Sequence, residues 1–185
     1  MDSNIKKLTF SAMFIAIAYV LPFVAGQIPE IGQMLCPMHI PVLLCGFVCG
    51  WQWGMAVGFI SPLLRSFTQP MPPLYPNAIS MAFELAAYGL MTGILYRALP
   101  KKLPYIYVDL VISMIVGRIV WGTVRFVMAG LDVNNTFGLA AFWSGAITTA
   151  IPGIIVQLAL VPALVYALTR AKLVLNNDPL KREIK

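Results

Sequence analysis

The sequence predicts an all-α membrane protein. It is read as one integral membrane domain over residues 1–185, a compact bundle of six transmembrane helices with both termini cytoplasmic. Three observations carry this. The 185 residues are 59% hydrophobic and 11% charged, with a mean hydropathy of +0.82, whereas a soluble domain carries roughly 25% charged residues. Apolar runs occupy about 8–24, 39–50, 54–67, 77–96, 105–129 and 139–169, and crossing the hydrocarbon core takes about 20 residues. Ten of the 13 Lys and Arg residues fall in three places: Lys6 and Lys7; Arg97, Lys101 and Lys102; and Arg170, Lys172, Lys181, Arg182 and Lys185. With six spans these clusters share one side, and the loops 25–38, 68–76 and 130–138 on the other side carry no Lys or Arg. The preference of Lys and Arg for the cytoplasmic side then orients the bundle.

The first span, 8–24, follows Lys6 and Lys7. This start resembles a signal peptide, but Ala12 and Ala16, four apart, form a small-xxx-small face suited to close helix contact. The stretch 39–67 is either one long helix or two short ones. Gly46, Gly50, Gly54 and Gly58 recur every fourth residue, which one continuous helix would turn into a smooth face. Gly50-Trp51-Gln52-Trp53-Gly54 reads instead as an interfacial turn. A single helix would divide the basic clusters between the two sides, so the charge pattern favours the turn. The loop 68–76 holds four prolines and is a candidate rim or lid. In the last span Pro152 and Pro162 are expected to kink the helix. The tail beyond it reads as polar and frayed.

The segment 105–129 is apolar enough to span, yet carries Arg118 and Arg125. Arginine at the bilayer centre costs on the order of 3 kcal/mol by insertion scales unless it faces the bundle interior. Seven residues apart, the two share one helix face with Trp121 and Gly122, about 10 Å apart along the axis. Glu84 lies about 10 Å below the start of the fourth span, and Arg125 about 7–8 Å below the end of the fifth. Glu84 and Arg125 thus lie at matching depth, and Glu84 can neutralise one of the two arginines. One carboxylate against two arginines leaves a positive charge that a substrate carboxylate or phosphate could meet through the guanidinium fork. The competing reading is a structural Glu–Arg pair, with the second arginine snorkelling outward.

Other residues complete the candidate set. Arg65 sits near an outer helix end. His39 opens the second span, either wetted by solvent or touching substrate. Asn77, after Pro76, is a helix N-cap or a contact. Trp121 and Trp143 are stacking groups or interfacial anchors. Cys36, Cys45 and Cys49 with His39 make a poor metal set, since zinc wants four N/S ligands or three plus water. No metal, cofactor or catalytic residue is therefore expected. The chain has no P-loop for ATP and no soluble basic face for nucleic acid.

The six-span outline, Ala12-x-x-x-Ala16 and the runs MHIPVLLCGFVCGWQWGMAVGFISPLLRS and PMPPLYPNAISMAFELAAYGLMTGILY resemble the substrate-binding S component of energy-coupling factor vitamin transporters, most closely the pantothenate type. The resemblance covers nearly the whole chain. It implies a plasma-membrane protein that binds a small vitamin from outside through spans four to six and the outer loops. It also implies partners: a transmembrane coupling subunit, docked through span one at Ala12 and Ala16, and two ATPase subunits. The candidate site read from the residues themselves is Arg118, Arg125, Glu84, Trp121, Arg65, His39 and Asn77; the resemblance implies pantothenate or another vitamin of the family as its ligand. Two alternatives remain at this point. One is an intramembrane enzyme using Glu84 and His39, although Gly-x-Ser-x-Gly, His-Glu-x-x-His and Glu-Glu-x-x-x-Arg are all absent. The other is a lone homodimeric facilitator.

Overall fold

A computed structural model describes residues 3–25, 37–69, 71–131, 138–145 and 150–176. Most of the expected loops 25–38 and 130–138, and the tail after 176, lie outside the described residues. The helices are α1 (Ser3–Ala25), α2 (His39–Cys49), α3 (Trp51–Thr68), α4 (Ile79–Ala98), α5 (Leu103–Leu131), α6 (Leu139–Trp143) and α7 (Ile151–Arg170). A wide turn, Leu74–Ala78, leads into α4. Four stretches are long and apolar enough to cross a membrane: Asn4–Phe23, Leu74–Ala98, Leu103–Leu131 and Ile151–Arg170. The expected last span is two helices, α6 and α7, with residues 146–149 between them outside the description. Pro152 begins α7 rather than kinking it, and Pro162 lies within it.

The stretch 39–67 does turn back, and it does so at one residue. Gly50 has φ 99°, a left-handed conformation that glycine adopts without penalty. Trp51 and Gly54 are already helical, so the turn is tighter than the five residues expected. All 11 residues of α2 are buried, among α1, α3, α4 and α7. At 1.5 Å per residue α2 is about 16 Å long, roughly half the hydrocarbon thickness. Its burial removes the need to match that thickness, because it meets protein on every side.

Burial alone does not hold α2 there, since lipid tails are as apolar as its own side chains; close van der Waals packing must. The glycines permit it. A Cβ on Gly89 of α4 would strike the backbone of Gly54 in α3, and one on Gly58 would strike the backbone at Leu85. Gly46 of α2 packs against Thr92 and the Gly89 carbonyl. Three of the four regularly spaced glycines thus form the packing seam of three helices rather than one helix face.

The chain end is no frayed tail as far as residue 176. The Leu175 amide donates to the Val48 carbonyl at 2.8 Å. The Asn176 amide donates to the carbonyls of Gly46 at 3.3 Å and Gly93 at 3.0 Å. Asn176 thus adds a second donor to the Gly46 carbonyl, which also accepts the Gly50 amide at 3.1 Å. These contacts gather the end of α2, the start of α3 and the end of α4 at one end of the bundle. At the opposite end Arg65, in the last turn of α3, reaches α1: its Nη1 donates to the Tyr19 carbonyl at 3.1 Å.

Candidate functional site

Helices α4 and α5 meet where Tyr88 lies against Gly117, whose missing side chain makes room for the ring. This register sets the polar pairs. Glu84, one turn before Tyr88, is 1% exposed. Arg118, next to Gly117, brings Nη1 to 3.0 Å from Glu84 Oε1. The Tyr88 hydroxyl donates to the same oxygen at 3.0 Å. His39, at the start of α2, places Nε2 at 3.5 Å from it and its ring 5.3 Å from that of Tyr88. Three helices thus converge on one buried carboxylate oxygen.

The glutamate's partner is accordingly Arg118, although Arg125 matches it in depth. Depth along two helices does not fix their rotation or lateral approach, and the Tyr88–Gly117 contact does. Arg125 lies two turns further along α5 with its guanidinium carbon 5.9 Å from the Trp121 ring centroid. Trp121 stacks on Phe142 of α6 at 6.3 Å and 29°, and Phe142 fills the space beside Gly122. A guanidinium and two stacked aromatics therefore lie on the α5 face that also carries Arg118.

The remaining expected residues fall elsewhere. Arg65 is held at α1, not at Glu84: besides Tyr19, its Nε donates to the Met71 carbonyl at 3.2 Å and its guanidinium lies 4.8 Å from the Phe23 ring. Asn77 is half-buried in the turn before α4, and neither that turn nor α4 has a side-chain cap bond. Trp143 is exposed and meets Phe142 edge-on. The proline loop is tied down by Tyr75, whose hydroxyl donates to the Met128 carbonyl at 3.2 Å. Ala12 and Ala16 are exposed on α1, while Ser11, Phe14 and Ala18 are its buried positions.

Three contributors escaped the sequence reading. Tyr88 was legible as a hydrogen-bonding group one turn from Glu84. Phe142 carried no signal, because its role depends on how α6 folds against α5. Asp109 is a second carboxyl in an apolar stretch, 1% exposed, accepting from the Ser113 hydroxyl at 3.2 Å. Among the described residues no group of three or more His, Cys, Asp or Glu side chains could hold a metal ion.

Residues 6–165 match the family model described as the ECF transporter substrate-specific component. The chain belongs to this family. No curated protein and no solved structure matches the chain. As an S component it is a substrate-binding transporter subunit rather than an enzyme, so the reading of Glu84 and His39 as catalytic groups gives way. It works on a small molecule, in a membrane, with the partners of the ECF module.

Proposed function

We propose that this S component binds a small carboxylate-bearing vitamin, pantothenate, from outside the plasma membrane. It passes the vitamin to a transmembrane coupling subunit driven by two ATPase subunits. The observation that carries the reading is the Arg118–Glu84 contact at 3.0 Å. It pins one guanidinium deep in an apolar bundle, on the same α5 face as Arg125 and Trp121. A guanidinium held in one orientation has already lost much of its rotamer freedom before a ligand arrives, which favours tight recognition of a carboxylate. Pantothenate has one carboxylate, and its hydroxyl and amide groups suit His39, Asn77 and the rim near Tyr75.

Six spans with both termini cytoplasmic remain the proposed topology. It is supported by the turn at Gly50 and by the clustering of Lys and Arg. Cysteine substitution tests it: an impermeant reagent on intact cells should label Gln69→Cys and spare Lys101→Cys. The reverse pattern would overturn the orientation.

Coupling is assigned to the exposed face of α1. Ala12 and Ala16 admit a close-packed partner helix there. Replacing either with Trp should abolish uptake of labelled pantothenate by cells containing all the subunits. Binding to the purified S component should stay within about twofold of wild type, because the face lies outside its core. Equal loss of binding and uptake would show that the face serves the bundle itself.

A further inference from the structure

The chain does not leave the bundle when α7 ends. Lys172 takes a left-handed φ of 58°, and the Leu173 amide donates to the Leu168 carbonyl at 3.0 Å, a closure of the helix end more often made at glycine. The chain is thereby turned back, and Val174 and Asn176 are buried, at 7% and 4% exposed. Residues 174–176 form a strap across the end of α2. The Leu175 amide holds the Val48 carbonyl of α2. The two N–H groups of the Asn176 side chain serve the Gly46 carbonyl of α2 and the Gly93 carbonyl of α4. Two carbonyl acceptors settle which side-chain atom is the nitrogen, because an amide oxygen could bond neither. The Asn176 oxygen lies over Gly50, 3.1 Å from where a Cβ would stand.

The helices that Asn176 joins are the two that bring His39 to Glu84. His39 and Gly46 are seven residues apart, so they share one face of α2, about 10 Å apart along the axis. Polar contacts therefore tie α2 to α4 at both ends of that face: His39 at 3.5 Å from Glu84, and the Asn176 bridge. Close apolar packing keeps helices together, whereas hydrogen bonds, being directional, set how one is slid or turned against the other. α2 is too short for the bilayer to fix its depth, and it is buried along its whole length. A slip at the Gly46 end is carried by the rigid helix to His39, then to Glu84 and to Arg118, 3.0 Å beyond.

We infer that the strap sets the geometry of the substrate site from the far end of α2, and that Asn176 is the positioning residue. This rests on the anion-site reading above. The linkage is reciprocal: the factor by which the closed strap raises ligand affinity is the factor by which bound ligand favours strap closure. In the proposed topology the strap lies at the cytoplasmic end. Occupancy of a site filled from outside is then expressed on the side where the ATPase subunits work.

Coupling between two sites is typically about 5–150-fold in affinity, so Asn176→Ala should raise the dissociation constant for pantothenate about fivefold or more. Calorimetry separates this from damage to the fold. A residue that only supports the bundle lowers the melting temperature and the binding stoichiometry, while the folded fraction keeps its affinity. A positioning residue raises the dissociation constant with the stoichiometry intact. The wild type supplies a second measurement that needs no substitution. Hydrogen exchange of the Leu175 amide, freed when the strap leaves Val48, should slow by a similar factor when pantothenate is bound. Exchange at Leu175 indifferent to pantothenate, or wild-type affinity in Asn176→Ala, overturns the inference and leaves the anion site standing. No binding of pantothenate by the wild type removes the anion site, and the inference with it.

Discussion

Arg118→Ala should weaken pantothenate binding by a hundredfold or more, and it should be the most damaging single substitution in the site. Two losses combine. The ligand loses a charge-assisted contact in a desolvated cluster, and truncating one member of such a pair typically costs about 2–5 kcal/mol. Glu84 loses the cation 3.0 Å away, and breaking a buried pair by removing one partner costs about 3–5 kcal/mol of stability. Thermal unfolding should therefore fall together with affinity. Arg125→Ala should weaken binding severely with a smaller thermal shift, because Arg125 stacks over Trp121, a more modest contact. Lysine at either position should rescue in part, since an ammonium supplies charge without the bidentate fork. Calorimetry and a melting curve on each purified variant check both effects. Normal binding by both alanine variants would make the arginines structural.

Gly89→Ala should prevent the bundle from packing. The added methyl would meet the Gly54 carbonyl and carbon, which are backbone atoms on the facing helix with no rotamer to escape into. Separating α3 from α4 would also disturb α2, which packs against both. Overpacking usually costs about 1–3 kcal/mol and more when backbone must move. Loss of monodisperse protein in detergent is the expected readout. Gly130→Ala is the control: nothing lies within 4 Å of its added Cβ, and it should behave as wild type. If Gly89→Ala purifies with an unchanged melting temperature, the seam is looser than described.

The sequence carried the helical class plainly, because hydropathy and the charge deficit are summed over long stretches and tolerate local error. It carried the break at Gly50 through the pattern of Lys and Arg, which depends on the sidedness of whole segments. It could not show that α2 is wholly enclosed. An 11-residue apolar helix looks alike whether it faces lipid or protein. Three glycines of the seam, Gly46, Gly54 and Gly58, were visible as a repeat, but which helices they join depends on tertiary approach.

The site was legible as a list of residues and less so as a geometry. Glu84, Arg118 and Arg125 stood out because ionised groups in apolar stretches are costly. Pairing among them depends on helix rotation, which was fixed by Tyr88 against Gly117, a contact between an aromatic and a glycine that gives no periodic signal. Arg65 drew attention for the same reason as the others and proved to be tied to Tyr19 and Met71. Its surroundings come from the proline loop just after it and from α1, 46 residues away at Tyr19.

The central claim is that this S component recognises its ligand by a carboxylate. The direct measurement is calorimetric titration of the purified wild-type protein with pantothenate and, separately, with the alcohol analogue that lacks only the acid group. One charge-assisted contact in a desolvated site corresponds to about 2–5 kcal/mol, so the acid should bind tens- to thousands-fold more tightly than the alcohol. If the alcohol binds as tightly as the acid, Arg118 and Arg125 serve the bundle and not the ligand.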